Sequence, residues 1–272
     1  MAASLLILTD FFRASQHALA YATSLAGPLD ARLVLLHVRR DSVLDPEVLS
    51  GQLSNLSQEA IDLAMRSVSA HLPVPVVAEV GHGRVAYAVA DATSRHHPSL
   101  VVLGRPDYSD IPDELVQTTA LDLLRTAPYP MLVVPHSTAQ LAPPRRILLA
   151  VDAETFSLGA HTGTVRHLLA DLGAELTVLN VRPGAANEAA EQAVLDSVLA
   201  TGITIDLQRV AVRTISHARP ADGILAAAAS GEFDAVAVVA RPRSFLGSLF
   251  HQSVTAQVLL HCSLPVFVLP AQ

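Results

Sequence analysis

The residues that open, cross and close the first half of this 272-residue chain recur in the same order in the second. Leu6-Ile7-Leu8-Thr9-Asp10 is answered by Ile147-Leu148-Leu149-Ala150-Val151-Asp152, and Leu35-Leu36-His37-Val38 by Val178-Leu179-Asn180-Val181. Pro130-Met131-Leu132-Val133-Val134-Pro135 is answered by Pro265-Val266-Phe267-Val268-Leu269-Pro270. Asp10 and Asp152 stand 142 residues apart, and Pro130 and Pro265 stand 135 apart. A unit this long fits the chain only twice, so the chain reads as a duplicated domain and not as a solenoid array. Each copy is close to the common size of a domain. The expected domains are residues 1–136 and 145–272, joined by the aperiodic stretch from Pro135 to Pro144.

Both halves alternate short apolar runs with longer amphipathic ones. In the first, strands are expected at Leu5 to Thr9, Arg32 to Val38, Val74 to Val80, Leu100 to Leu103 and Met131 to Val134. Ser15 is read as the N-cap of a helix ending at Gly27-Pro28. Pro46 after Asp45 starts a helical stretch towards His71, Gly81-His82-Gly83 turns into a helix from Val85 to Arg95, and another fills Asp113 to Thr126. In the second half, strands are expected at Ile147 to Val151, Glu175 to Val181, Ile205 to Val212, Ala235 to Val239 and Val266 to Leu269. Its helices fall at Gly159 to Leu172, Ala185 to Ala200, Ala221 to Ser230 and Val254 to His261. Apolar strands joined by helices imply parallel sheets with right-handed crossovers. In such sheets ligands sit beyond the carboxyl ends of the strands, which places Asp10, Val38, Gly104, Asp152, Val181 and Val239 near the candidate clefts.

Hydrophobic residues make up 51% and charged residues 16%, enough apolar surface for a core in each half. No apolar run approaches the ~20 residues that span a bilayer, and no basic segment precedes the first one. The single cysteine fits a reducing compartment. A net charge of −7 without a basic run argues against nucleic-acid binding. These features predict a soluble, cytoplasmic protein.

Taken together, the Asp ending strand one, the Leu-Leu-His-Val ending strand two, Val101-Val102-Leu103-Gly104 and Ala127-Pro128-Tyr129-Pro130-Met131-Leu132-Val133-Val134-Pro135 resemble the universal stress protein family in its tandem two-domain form. The resemblance implies two doubly wound parallel five-stranded α/β domains, adenine nucleotide alpha hydrolase-like, paired through their last strands as an internal pseudo-dimer. It also implies an adenosine site at the Asp after strand one and the residue ending strand two. The phosphate loop implied after strand four runs Gly, two residues, Gly, nine residues, Gly, then Ser or Thr. Its glycines bring backbone N–H groups close to phosphate.

This chain keeps the spacing and loses most of the glycines. The four positions are Gly104, Asp107, Gln117 and Thr118 in the first half, and Val239, Pro242, Gln252 and Ser253 in the second. Asp107 sets a negative charge where a polyphosphate would lie, Pro242 removes a donor, and Val239 is poorly suited to positive φ. Phe12 takes the place of a small polar residue usual just after the Asp and is a candidate to fill the cleft, while Arg241 and Arg243 are candidate anion attractors. The residual nucleotide-binding set is Asp10, Val38, Gly104, Thr118, Asp152, Val181 and Ser253.

Each of these residues also has a plain structural role open to it. Asp10 and Asp152 suit turn or helix caps, Thr118 and Ser253 suit N-caps, and His37 suits a satisfied structural position. The adjacent pair His96-His97 diverges on a helix, and His161 and His167 lack a helical ligand spacing, so no metal site is expected. No Gly-x-Ser-x-Gly nucleophile elbow occurs, and no catalytic residue is assigned. The expected function is a non-enzymatic stress-response protein that acts as a binding or regulatory module, with ATP or AMP bound weakly at most and with protein partners unspecified. The alternatives are an ATP-binding or slowly ATP-hydrolysing protein using domain 1, and a binder of another small apolar or anionic ligand. Homodimerisation beyond the internal pseudo-dimer is a further expectation, given a mean hydropathy of +0.40.

Overall fold

The structure is a computed structural model that describes residues 3–39, 58–107, 119–126, 128–184, 187–241 and 253–271. The first half holds strands β1 (Ala3–Thr9), β2 (Ala31–Arg39), β3 (Val76–His82), β4 (Leu100–Arg105) and β5 (Met131–Pro135). The second holds β6 (Arg146–Ala150), β7 (Glu175–Arg182), β8 (Val210–Ser216), β9 (Ala235–Ala240) and β10 (Val266–Pro270). The described helices are α1 (Arg13–Ala26), α2 (Gln58–Ala70), α3 (Val85–His96) and α4 (Thr119–Thr126), then α5 (Thr162–Asp171), α6 (Glu188–Leu199), α7 (Pro220–Ala228) and α8 (Val254–His261). A short 3₁₀ turn, Gly159–His161, leads into α5.

The ten described strands form one sheet in the order β3-β2-β1-β4-β5-β10-β9-β6-β7-β8. Within each half every pairing is parallel, and the two halves meet through a single antiparallel pair, Val133 with Val266, Leu132 with Phe267 and Met131 with Val268. The last strands would otherwise be exposed edges. Their backbone groups satisfy one another, and the expected internal pseudo-dimer results.

Period-two alternation sends successive side chains to opposite faces, so the sheet separates two cores. Leu5, Ile7, Leu33, Leu35, Val102, Leu132 and Val134 lie on one face beneath α1 and α2, and the same core continues through Ile147, Leu149 and Phe267 to α5 and α6. Leu6, Val34, Leu36, Val101, Met131 and Val133 lie on the other beneath α3 and α4, continuing through Leu148, Val236 and Val268 to α7 and α8. Both cores therefore cross the junction between the halves.

Three local expectations change. Ser15 lies inside the first turn of α1, not at its cap, because Phe12 takes the extended N-cap conformation. Gly81 and His82 continue β3, so the turn rests on Gly83, whose φ of +83° favours glycine. The strand expected from Ile205 begins only at Val210. Residues 201–206 form turns in which Ile203 and Thr204 are buried and Ile205 is exposed, so the buried apolar residue of this stretch anchors a turn instead of opening a strand. The start expected at Asp45-Pro46, and the first turns of the helix expected from Asp113, lie outside the described residues.

Candidate ligand clefts at the two switch points

In strand order 3-2-1-4-5 the winding reverses between β1 and β4, and in the second half between β6 and β9. The crevice above each reversal is where an open α/β sheet holds its ligand. Asp10 and Gly104 border the first crevice, and Asp152 and Arg241 border the second.

Asp10 works first as a turn former. Its Oδ1 accepts from the Phe12 amide at 2.9 Å and the Ser15 hydroxyl at 2.6 Å. The Ser15 hydroxyl is also placed near the Phe12 carbonyl at 2.9 Å. The side chain makes no described ion pair, and Oδ2 takes neither bond. Phe11 adopts φ of +66°, an uncommon conformation for a bulky residue. Its ring lies against the His37 imidazole with centroids 4.8 Å apart. His37 Nδ1 bonds the Thr9 carbonyl at 2.9 Å, so that nitrogen carries the proton. Asn180 repeats the device in the second half by donating to the Val151 carbonyl at 3.1 Å. In both halves the polar residue near the end of strand two ties down the end of strand one.

Gly104 has a steric reason to be glycine. A Cβ there would run into the Ala14 carbonyl and lie 2.8 Å from the Ser15 nitrogen, so the first turn of α1 rests directly on β4. Val38 and Val181, at the ends of β2 and β7, pack where small residues let helices close on the sheet. Val38 lies 3.7 Å from where a Gly81 Cβ would stand, and a Cβ at Gly223 would come within 2.6 Å of Val181. Both valines belong to the edge of the second core. Ser253 caps α8, accepting from the Ala256 amide at 3.1 Å. Thr118 lies outside the described residues.

The second crevice is built differently. Asp152 Oδ1 again accepts a following amide, that of Glu154 at 3.3 Å, but the helix does not start where its counterpart does. The Asp10–Asp152 offset places Arg13, the first residue of α1, on Thr155, whereas helical structure begins only at Gly159. Val239 occupies the place of Gly104 and supplies the Cβ that a closely seated first turn cannot accept. The unwound turn leaves carbonyls free, and Arg241 takes them. Its Nη1 donates to the Thr155 carbonyl at 3.0 Å, and its Nη2 to the Glu154 carbonyl at 2.9 Å and to Asp152 Oδ1 at 2.5 Å. The guanidinium lies 5.8 Å from the centre of the Phe156 ring, and the side chain is only 14% exposed. Arg241, expected to draw an anion, is spent on its own domain. Strand order explains this pairing: β9 and β6 are neighbours, so an Arg just past one faces an Asp just past the other.

Arg105, one residue after Gly104, crosses between the halves. It donates to the Leu260 carbonyl and, at 2.6 Å, to the Cys262 carbonyl, closing the last turn of α8. Burial pushes the Cys262 thiol up, with the Leu264 amide and nearby Arg105 acting in opposition. Tyr129 makes a second crossing contact, edge-on to His161 with ring centroids 6.2 Å apart.

Two doubly wound α/β domains, each with an acidic residue at its switch point and joined through their fifth strands, define a tandem ligand-cleft architecture. The sequence profile of the Universal stress protein family matches residues 1–135 and 144–270, and the chain belongs to that family. Among solved structures, a universal stress protein from Archaeoglobus fulgidus is 17% identical, with a TM-score of 0.70 and 99% of each chain covered. A functionally unknown Pseudomonas aeruginosa protein is 19% identical, with a TM-score of 0.61, over 98% of this chain and 92% of that one. The cytoplasmic domain of a prokaryotic cation chloride cotransporter is 10% identical, with a TM-score of 0.52, over 98% and 95%. At these identities the likeness is one of fold. No protein with a curated description matches in sequence. Among the described residues no helix is long and apolar enough to cross a membrane.

Proposed function

We propose that this universal stress protein is a non-enzymatic, cytoplasmic binding or regulatory module whose first domain holds the ligand-responsive cleft. That cleft takes an adenine nucleotide, ATP or AMP, weakly at most, and output passes to a protein partner. The observation that carries the reading is the inequality of the two acidic residues. Asp152 is neutralised by Arg241, whereas Asp10 has no described cation and keeps one carboxylate oxygen free for a ribose hydroxyl. The loss of loop glycines, and Asp107 in place of one of them, supports weak binding without turnover.

Isothermal titration with ATP, AMP and adenosine tests this. The expected result is one weak site per chain, unchanged by Asp152→Asn and lost on Asp10→Ala. Asp10→Asn, which keeps the turn acceptor, separates ligand contact from folding. Two sites per chain, or steady release of phosphate from ATP, would overturn it in favour of a hydrolysing protein. A thermal shift with ATP and Mg²⁺ gives the same answer, since ligand at 100 times its Kd adds about 2.7 kcal/mol.

A further inference from the structure

The second cleft is a site with an occupant. A planar cation lies just past the β6/β9 switch point, and it finds one carboxylate oxygen, two carbonyl oxygens and an aromatic face arranged around it. All three hydrogen bonds are accepted from the guanidinium; within this set the cleft offers acceptors only. A phosphate site needs the opposite polarity, N–H groups converging on an anion. The stretch 154–158, which is not helical where the first turn of α1 stands in domain 1, presents the carbonyls of Glu154 and Thr155 to that cation.

We propose that the cleft of domain 2 is a guanidinium-binding site filled in cis by Arg241, and that a vacated cleft takes a small planar alkylguanidinium rather than an anionic nucleotide. The two end nitrogens of a fork reach three acceptors set apart in space, and its flat face suits a ring. An ammonium, being a compact point charge, matches neither feature. Held this way, domain 2 carries its own ligand covalently, so its fold is independent of metabolite supply. This inference concerns domain 2 alone, and nucleotide titration of domain 1 succeeds or fails separately from it.

The test uses the full chain carrying Arg241→Ala, melted with and without 10 mM-scale ethylguanidinium, with ethylammonium at equal ionic strength as the control. The variant is expected to melt roughly 4 °C below the parent. Ethylguanidinium should recover at least half of that loss, ethylammonium none, and the parent should respond to neither. Arg241→Lys keeps the charge without the fork and is expected to melt close to Arg241→Ala. Asp152→Asn, which keeps the acceptor for the Glu154 amide, should melt lower than the parent without recovery by ethylguanidinium. The proposal is overturned if Arg241→Ala melts with the parent, if both cations act alike, or if the variant gains a second ATP site. Should Arg241→Ala not fold, parent-like melting of Arg241→Lys overturns it, and a lowered melting point in Arg241→Lys supports it.

Discussion

At the scale of single residues, a position can look like a ligand contact and be fixed by packing. Gly104 is the sharpest instance. Its family role is to approach phosphate, yet here the absent Cβ makes room for the Ala14 carbonyl and the Ser15 nitrogen. Gly104→Ala forces backbone apart, since the colliding atoms are not the end of a flexible side chain. It should destabilise the chain by about 1–3 kcal/mol with an unchanged dependence on denaturant, as overpacking does. Urea unfolding measures this directly, and parent-like stability would show that α1 yields freely. His161 gives a pH prediction. Partial burial against the junction lowers its pKa below the ordinary histidine value of 6.5. Between that lowered value and 6.5 the unfolded chain binds a proton that the folded chain does not, so stability rises with pH there. Melting temperature should therefore fall as the pH drops below 6.5 and level off above it, and His161→Phe should flatten that slope. Glu79 and Asp234 act further down the scale. Burial raises both, but Arg95 and His96 outweigh it at Glu79, as Arg146 and two backbone amides do at Asp234, and both end below their ordinary values of 4.5 and 3.8. Their contribution is complete above those values and is lost as the pH falls through the lowered ones.

At the scale of elements, the helix ends decide which residues remain for a ligand. Ser253 has a full account as the cap of α8, and the same service is given to α6 by Asn187, which accepts from the Ala190 amide at 2.7 Å. Ser253→Ala should cost about 1 kcal/mol of stability and leave nucleotide titration unchanged. A loss of nucleotide heat without loss of stability would return Ser253 to the phosphate site. Strand and helix order was legible in the sequence because each apolar run is short and the duplication checks it twice. What failed was local. Ser15 offers the right chemistry for a cap three residues too late, because Asp10 bends the chain first and leaves Phe12 at the cap. Ile205 looks like the start of a strand, but the burial of Ile203 fixes the turn that contains it. The altered cleft of domain 2 was legible as lost glycines at Val239 and Pro242. That Arg241 fills it was not, because one sequence read along the chain does not show that β9 borders β6 until the strand order is known.

At the scale of the molecule, the halves are joined by more than a linker. The β5–β10 ladder, the two cores running beneath it, and Arg105 closing α8 from the opposite domain all span the same junction. Arg105 leaves β4 one residue beyond Gly104, so the lip of the first cleft is also a contact of the second domain. A chain built this way should unfold in one cooperative transition, because neither half can leave without exposing both cores and a bare strand edge. The isolated first half supplies the strongest test. Residues 1–136 would present β5, with Met131, Leu132 and Val133 stripped of Val268, Phe267 and Val266. An apolar edge of this kind pairs with the nearest equivalent, which is a second copy of itself. The half-chain should therefore run as a dimer in size-exclusion chromatography with light scattering, and its melting temperature should rise with concentration. Val133→Lys, which sets a charge on that edge, should return it to a monomer of much lower stability. A half-chain that is monomeric and as stable as the whole would mean that the junction only holds the domains together, and that each cleft is folded without the other.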